Sequence, residues 1–189
     1  MRDIDVRARL HKQQLRKFHD DPNSYLIDEV EICGREARID IAIINGSIHG
    51  YEIKSDKDTL KRLKHQSNLY SQVFDYVTLV VGESHLKKAT DLIPRWWGIF
   101  RARESQNKVY IRKIRSPQQN LQIDSFAICQ MLWRHEALHI LERYNLLFGV
   151  KSKPKRVLWQ VLAENLPQSL LAGEIRQALK SRSTWRFNS

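Results

Sequence analysis

The sequence predicts an α/β fold in which a mixed sheet is flanked by helices and followed by a C-terminal helical extension. Three observations predict it: an antiparallel strand pattern early in the chain, a later β-branched run from Tyr76 to Val81 set between helical stretches, and a change to helical character beyond Pro117. A chain of 189 residues accommodates one core plus an appended piece, so the boundary is placed between a core of residues 1–116 and an extension of residues 117–189.

Taken in order, Asp3 to His19 reads as a helix, with Ile4, Ala8, Leu15 and Phe18 on its apolar face and Asp3 or Asp5 as cap. The cluster Asp20-Asp21-Pro22-Asn23-Ser24 ends it, because proline has no backbone N–H and disfavours helix in the residue before it. Strand-like runs then cover Tyr25–Cys33, Arg38–Ile44 and Ile48–Lys54, joined through Gly34-Arg35-Glu36 and Asn45-Gly46-Ser47 into a meander. Asp56 and Asp58 offer caps for a helix from Thr59 to Phe74, with Leu60, Leu63 and Tyr70 inward. Tyr76 to Val81 has the continuous apolar character of a strand covered on both faces, which places it at the centre of the sheet. A short helix from Leu86 stops before Pro94, and 97–101 with 108–114 form a hairpin across Ser105-Gln106-Asn107. Ser125–Phe148, Pro154–Leu166 and Gln168–Lys180 are helical.

The bulk numbers narrow the functional classes. No apolar run approaches the roughly 18 residues needed to cross a bilayer, and the first ten residues lack the apolar stretch of a secretory signal, so the expected location is cytoplasmic, with no membrane partner. Cys33 and Cys129 are too few for a disulfide framework and lack zinc-site pairing, so both are expected as buried thiols. A net charge of +11 attracts polyanions, nucleic acid foremost. Residues 151–189 hold +6 of that charge, including Arg186. Two sets of basic residues are candidate phosphate contacts: Lys57, Lys61, Arg62 and Lys64 after the third strand, and Arg176 and Lys180 on the second of two helices joined at Pro167, a helix-turn-helix-like arrangement.

The sharpest signal is Asp40 followed, after eleven intervening residues, by Glu52-Ile53-Lys54. Phosphodiester hydrolysis needs a nucleophilic hydroxide and neutralisation of developing negative charge, and a hard cation held by carboxylates supplies both. Lys54 lies two residues beyond Glu52 and so shares its strand face, within reach of the reacting oxygens. If Asn45-Gly46-Ser47 is a three-residue loop, Ile44 pairs with Ile48 and Asp40 lands opposite Glu52; that register also gathers Ile39, Ile41, Ile43, Tyr51 and Ile53 on one buried face.

This order of residues, with the preceding helix, the meander and the following helix and strand, resembles the PD-(D/E)XK, or restriction-endonuclease-like, nuclease superfamily. The text from Glu29 through Val81, with Leu132-Trp133-Arg134, is similar to a family of small, mostly uncharacterised bacterial proteins within it. The proline of the superfamily's name is absent, since Ile39 precedes Asp40. The resemblance implies a restriction-endonuclease-like mixed sheet and Mg²⁺-dependent (or Mn²⁺-dependent) hydrolysis of DNA. It also implies that Asp40, Glu52 and the Ile53 carbonyl hold the ion, that Lys54 is the catalytic lysine, and that Glu29 is the additional acid, a role for which Glu31 competes. Gln66 and Tyr70, one helical turn apart, resemble the Gln-x-x-x-Tyr element of RecB-like nucleases. Small nucleases of this kind often act in pairs, which makes a homodimer an expected assembly. The alternative of another class is a catalytically inactive nucleic-acid-binding protein that keeps the nuclease fold.

A rival motif, His135-Glu136-Ala137-Leu138-His139, spells the zinc metallopeptidase pattern, in which two histidines share a helix face and Glu136 acts as base. No third ligand has suitable context, and Met131, Leu132, Trp133, Leu138, Ile140 and Leu141 surround the motif with apolar residues.

Overall fold

A computed structural model describes residues 1–182; Arg186 lies outside the described residues. The elements are α1 (Asp3–Gln13), α2 (Arg16–His19), β1 (Tyr25–Ile32), β2 (Ala37–Ile44), β3 (Ile48–Lys54), α3 (Leu63–Val73), β4 (Tyr76–Gly82) and α4 (Leu86–Leu92), then β5 (Gly98–Ser105), β6 (Lys108–Arg115), α5 (Ser125–Cys129), α6 (Arg134–Arg143), α7 (Lys155–Asn165) and α8 (Gln168–Ser181). The six strands form one sheet in sequence order. β3, β4 and β5 run parallel, and the remaining neighbours are antiparallel. The central position expected for the Tyr76 strand is met, and its side chains from Val77 onward are buried.

The sheet separates two apolar layers. On one side, Val6, Leu10 and Leu15 pack against Ile41, Ile43, Tyr51, Ile53, Val80, Phe100 and Ile111. On the other, α3, α4 and the C-terminal helices share a larger cluster, which joins Ile39, Ile44, Leu79 and Trp97 to Ile140, Leu162, Leu171 and Leu179. Residues 125–181 therefore bury their apolar faces in the same core as the sheet. The described helices include none long and apolar enough to cross a membrane.

Four local expectations are corrected. The first helix is broken at Gln14 and Leu15, where the Leu15 amide reaches back to the Leu10 carbonyl. Its buried face is Val6 and Leu10 rather than Ile4 and Ala8, and Ile4 is 64% exposed. The third helix begins at Leu63, not Thr59, because the Asp58 carboxylate accepts from the Ser55 amide and hydroxyl and holds 55–58 as a turn. The stretch 125–148 is two short helices, since Glu136 turns back to accept from the Trp133 amide and so starts a new helix there.

The fourth correction bears on the site. Ile44 pairs with Ile48 and Ile41 with Tyr51, as a three-residue Asn45-Gly46-Ser47 loop requires. Ile41, Ile43, Tyr51 and Ile53 do share one buried layer, but Ile39 belongs to the other. The same reversal occurs in β1, where Ile27 and Val30 both face the larger cluster although they are three positions apart. Pairing nonetheless continues from Asp28↔Ile41 to Val30↔Ile39, so the two strands change face together. Glu29, between them, has φ 60°, a left-handed conformation that breaks the two-residue alternation.

Candidate active site

The reversal places Asp40 in the fork where β2 parts from β3. Its Oδ2 accepts from the Ile53 amide at 2.6 Å, a side chain doing what a strand carbonyl would do. Its Oδ1 accepts from Arg7 Nη2 at 3.0 Å, while Arg7 Nη1 donates to the Asp40 carbonyl at 3.1 Å. Burial and the neighbouring Glu52 charge push the Asp40 carboxyl up to about 7, against the pull of the Ile53 amide and Arg7.

Glu52 is 2% exposed and points into the layer of α3. Its Oε1 accepts from Lys54 Nζ and, at 2.9 Å, from Gln66 Nε2. Its Oε2 lies 2.7 Å from the Tyr70 hydroxyl, which is also 2.8 Å from the Arg38 carbonyl and accepts from Gln66 Nε2 at 3.1 Å. Burial and the adjacent Glu52 charge hold the Tyr70 phenol protonated. Strand alternation puts Glu52 and Lys54 on one face, and the four-residue spacing on α3 puts Gln66 and Tyr70 opposite them. Asp40 and Glu52 thus meet through their charges, but each is held by different donors, and the opposed pair expected on one flat face is replaced by an acid in the fork and an acid beneath α3.

Glu29 is brought to the same place: its carboxylate pairs with Arg7 at 2.7 Å and with Arg38 at 2.6 Å. Glu31 instead pairs with Arg35 at the exposed end of the strand. Arg7 was not singled out by sequence reasoning, yet its guanidinium contacts Asp3, Asp28, Glu29 and Asp40. Its i,i+4 neighbour His11 continues this face, with Nε2 3.2 Å from Asp28 and Nδ1 2.9 Å from His19. No spacing in the chain marks the contacts of Arg7 with Asp28, Glu29 and Asp40, because they join a helix to strands more than twenty positions away.

Lys57, Lys61, Arg62 and Lys64 are exposed. Arg176 and Lys180 are partly buried, and Lys180 lies over the Tyr25 ring at 5.9 Å. Both cysteines are buried and free; burial raises Cys33 to about 11 and Cys129 to about 12. In the rival motif His135 and His139 are exposed, whereas Glu136 is buried against Arg182 at 2.6 Å and caps α6. Among the described residues no three His, Cys, Asp or Glu side chains converge on one point as a ready metal cage.

The fold and site thus define a basic α/β protein with a buried Glu–Lys–Gln–Tyr cluster beside an acid held in a strand fork. The family described as Bacteriophage P4 protein cII matches residues 2–187, and the chain belongs to that family. It is 26% identical to Protein cII of Enterobacteria phage P4 over 157 residues, which cover 83% of this chain. The chain spans only 59% of that relative's length.

Proposed function

We propose that this chain hydrolyses phosphodiester bonds in DNA at the Asp40–Glu52–Lys54 cluster, as a nuclease of PD-(D/E)XK type. The observation that carries the reading is the buried Lys54–Glu52 contact, backed by Gln66 and Tyr70 and set beside an Asp40 whose carboxyl is pushed up to about 7. Such a cluster costs stability, and buried acids of perturbed pKa set beside a specific charge partner are what functional sites require.

The residues fit a hard divalent ion. Asp40 and Glu52 are mutually repelling oxygen donors, and Gln66 Oε1 is a buried acceptor without a hydrogen-bond partner beside them. Asp40, Glu52 and the Ile53 carbonyl would hold Mg²⁺ or Mn²⁺, which would acidify a bound water and neutralise phosphate charge. Tyr70 and Gln66 fix the Glu52 carboxylate, so its oxygens are aimed before substrate arrives. Lys54 provides a positive charge on the same face for the phosphate oxygens, and the exposed Lys57, Lys61, Arg62 and Lys64 line the approach.

A second reading, a silent nucleic-acid-binding protein with the same fold, is favoured by one observation. Arg7 already pairs with Asp40 and Glu29, supplying the positive charge a cation would bring. Plasmid incubated with Mg²⁺ or Mn²⁺ separates the two. The nuclease reading expects cleavage that EDTA stops and that Asp40→Asn and Lys54→Ala each lower by about 10²–10³-fold. Gel retardation without cleavage under either metal would establish the silent binder instead.

A further inference from the structure

The β5–β6 hairpin carries a basic face that the site description does not use. Register places Arg101 opposite Arg112, Arg103 opposite Tyr110 and Ser105 opposite Lys108. Paired residues project from the same face, and Ile111, Ala102 and Phe100 project from the other, where they pack under α1. Arg103, Lys108 and Arg112 are exposed, and Tyr110 is 48% exposed. Of these cations only Arg101 has an acidic partner among the described residues, Glu83 at 3.2 Å. The acid of the hairpin, Glu104, sits on the α1 side and is paired with the chain's amino terminus.

This face lies on the same side of the sheet as Lys54, with the buried Val81 between them. Lys54 pairs with Val81, Val81 with Arg101 and Arg101 with Arg112, so Lys54 and Arg112 occupy one row across four strands. Three inter-strand steps span roughly 14 Å, about four base-pair rises of 3.4 Å. Guanidinium and ammonium groups spaced along an open strand pair, with a phenol ring among them, match a polyanion whose repeating unit also offers a flat ring.

We propose that the exposed face of the β5–β6 hairpin is a nucleic-acid strand platform, with Arg103, Lys108 and Arg112 taking backbone phosphates and Tyr110 stacking on an unpaired base. The identity of the partner rests on the phosphodiester reading above; the location rests on register and charge alone.

The test is binding of fluorescent single-stranded and duplex oligonucleotides in EDTA, where no cleavage occurs. Arg103→Glu/Arg112→Glu should weaken binding at least tenfold, and Arg103→Gln/Arg112→Gln should flatten the log–log salt dependence by about 2. Tyr110→Ala should lower single-strand affinity about tenfold and duplex affinity little. Lys12→Glu/Arg16→Glu, on the far side of the sheet, should bind like the wild type. Equal affinity for wild type and the hairpin variants, with matched melting curves, overturns the platform. Binding of the wild type to anionic vesicles in preference to oligonucleotides also overturns it. If the hairpin variants lose binding but no metal supports cleavage by the wild type, the nuclease reading falls and the platform stands. If the wild type cleaves and the variants bind and cleave as well as it does, the platform alone falls.

Discussion

At the scale of single residues, Asp40 is where function and stability pull apart. Its carboxyl, pushed from 3.8 to about 7 by burial and Glu52, keeps a proton in the folded state that the unfolded chain has already released. Stability therefore falls as pH rises between those two values and stays low above the upper one. In EDTA at pH 8, Asp40→Asn should melt higher than wild type, by up to about 4 kcal/mol, with the advantage gone near pH 4. An unchanged melting temperature at pH 8 would contradict that assignment. Lys54 works the other way: Lys54→Met leaves Glu52 buried without its cation and should cost about 3–5 kcal/mol in denaturant titration. Glu52, Lys54, Gln66 and Tyr70 were legible because they lie at spacings, two along a strand or four along a helix, that the backbone converts directly into a shared face, whereas the motif marked Asp40 without showing its place in the fork. Arg7 and the pairing of Glu29 were not, because they depend on how α1 crosses strands remote in sequence.

At the scale of elements, the β2–β3 hairpin sets the site. Its loop length fixes Ile44 against Ile48, and apolar alternation was enough to read this in the sequence. The face reversal at Glu29 and Asp40 was not readable, since a left-handed φ at a glutamate has no sequence signature and alternation counting assumes a regular strand. Deleting Gly46 shortens the connection to two residues and shifts the register by one, which sends Glu52 out of the α3 layer or Tyr51 into it. Hydrogen exchange should then show β3 amides losing protection; retained protection from Ile48 to Lys54 would mean that the loop does not set the pairing. Gly50 gives a milder probe. A Cβ there would lie 2.9 Å from Ile39 and 3.2 Å from Phe74, so Gly50→Ala should cost about 1–3 kcal/mol by thermal melting.

At the scale of the whole molecule, the alternating order of strands and helices made the mixed sheet legible, but the sequence gives no sign of how intimately the C-terminal helices join it. Beyond Pro117 the chain is bolted to the sheet layer: Asn120 Nδ2 donates to the carbonyls of Ser71 at 2.7 Å and Phe74 at 3.0 Å. Arg182, at the end of α8, donates to both Glu136 oxygens and to the Met131 carbonyl. Arg182→Ala should cost about 3–5 kcal/mol, as expected when one member of a buried ion pair is removed. Since Leu162, Leu171, Ile175 and Leu179 fill the same interior as Leu79 and Trp97, a protein ended at Arg115 would present that interior to water. The half that carries the acids is consequently no portable cassette: grafted alone onto another scaffold it should aggregate, and any engineering of this chain has to carry both halves together.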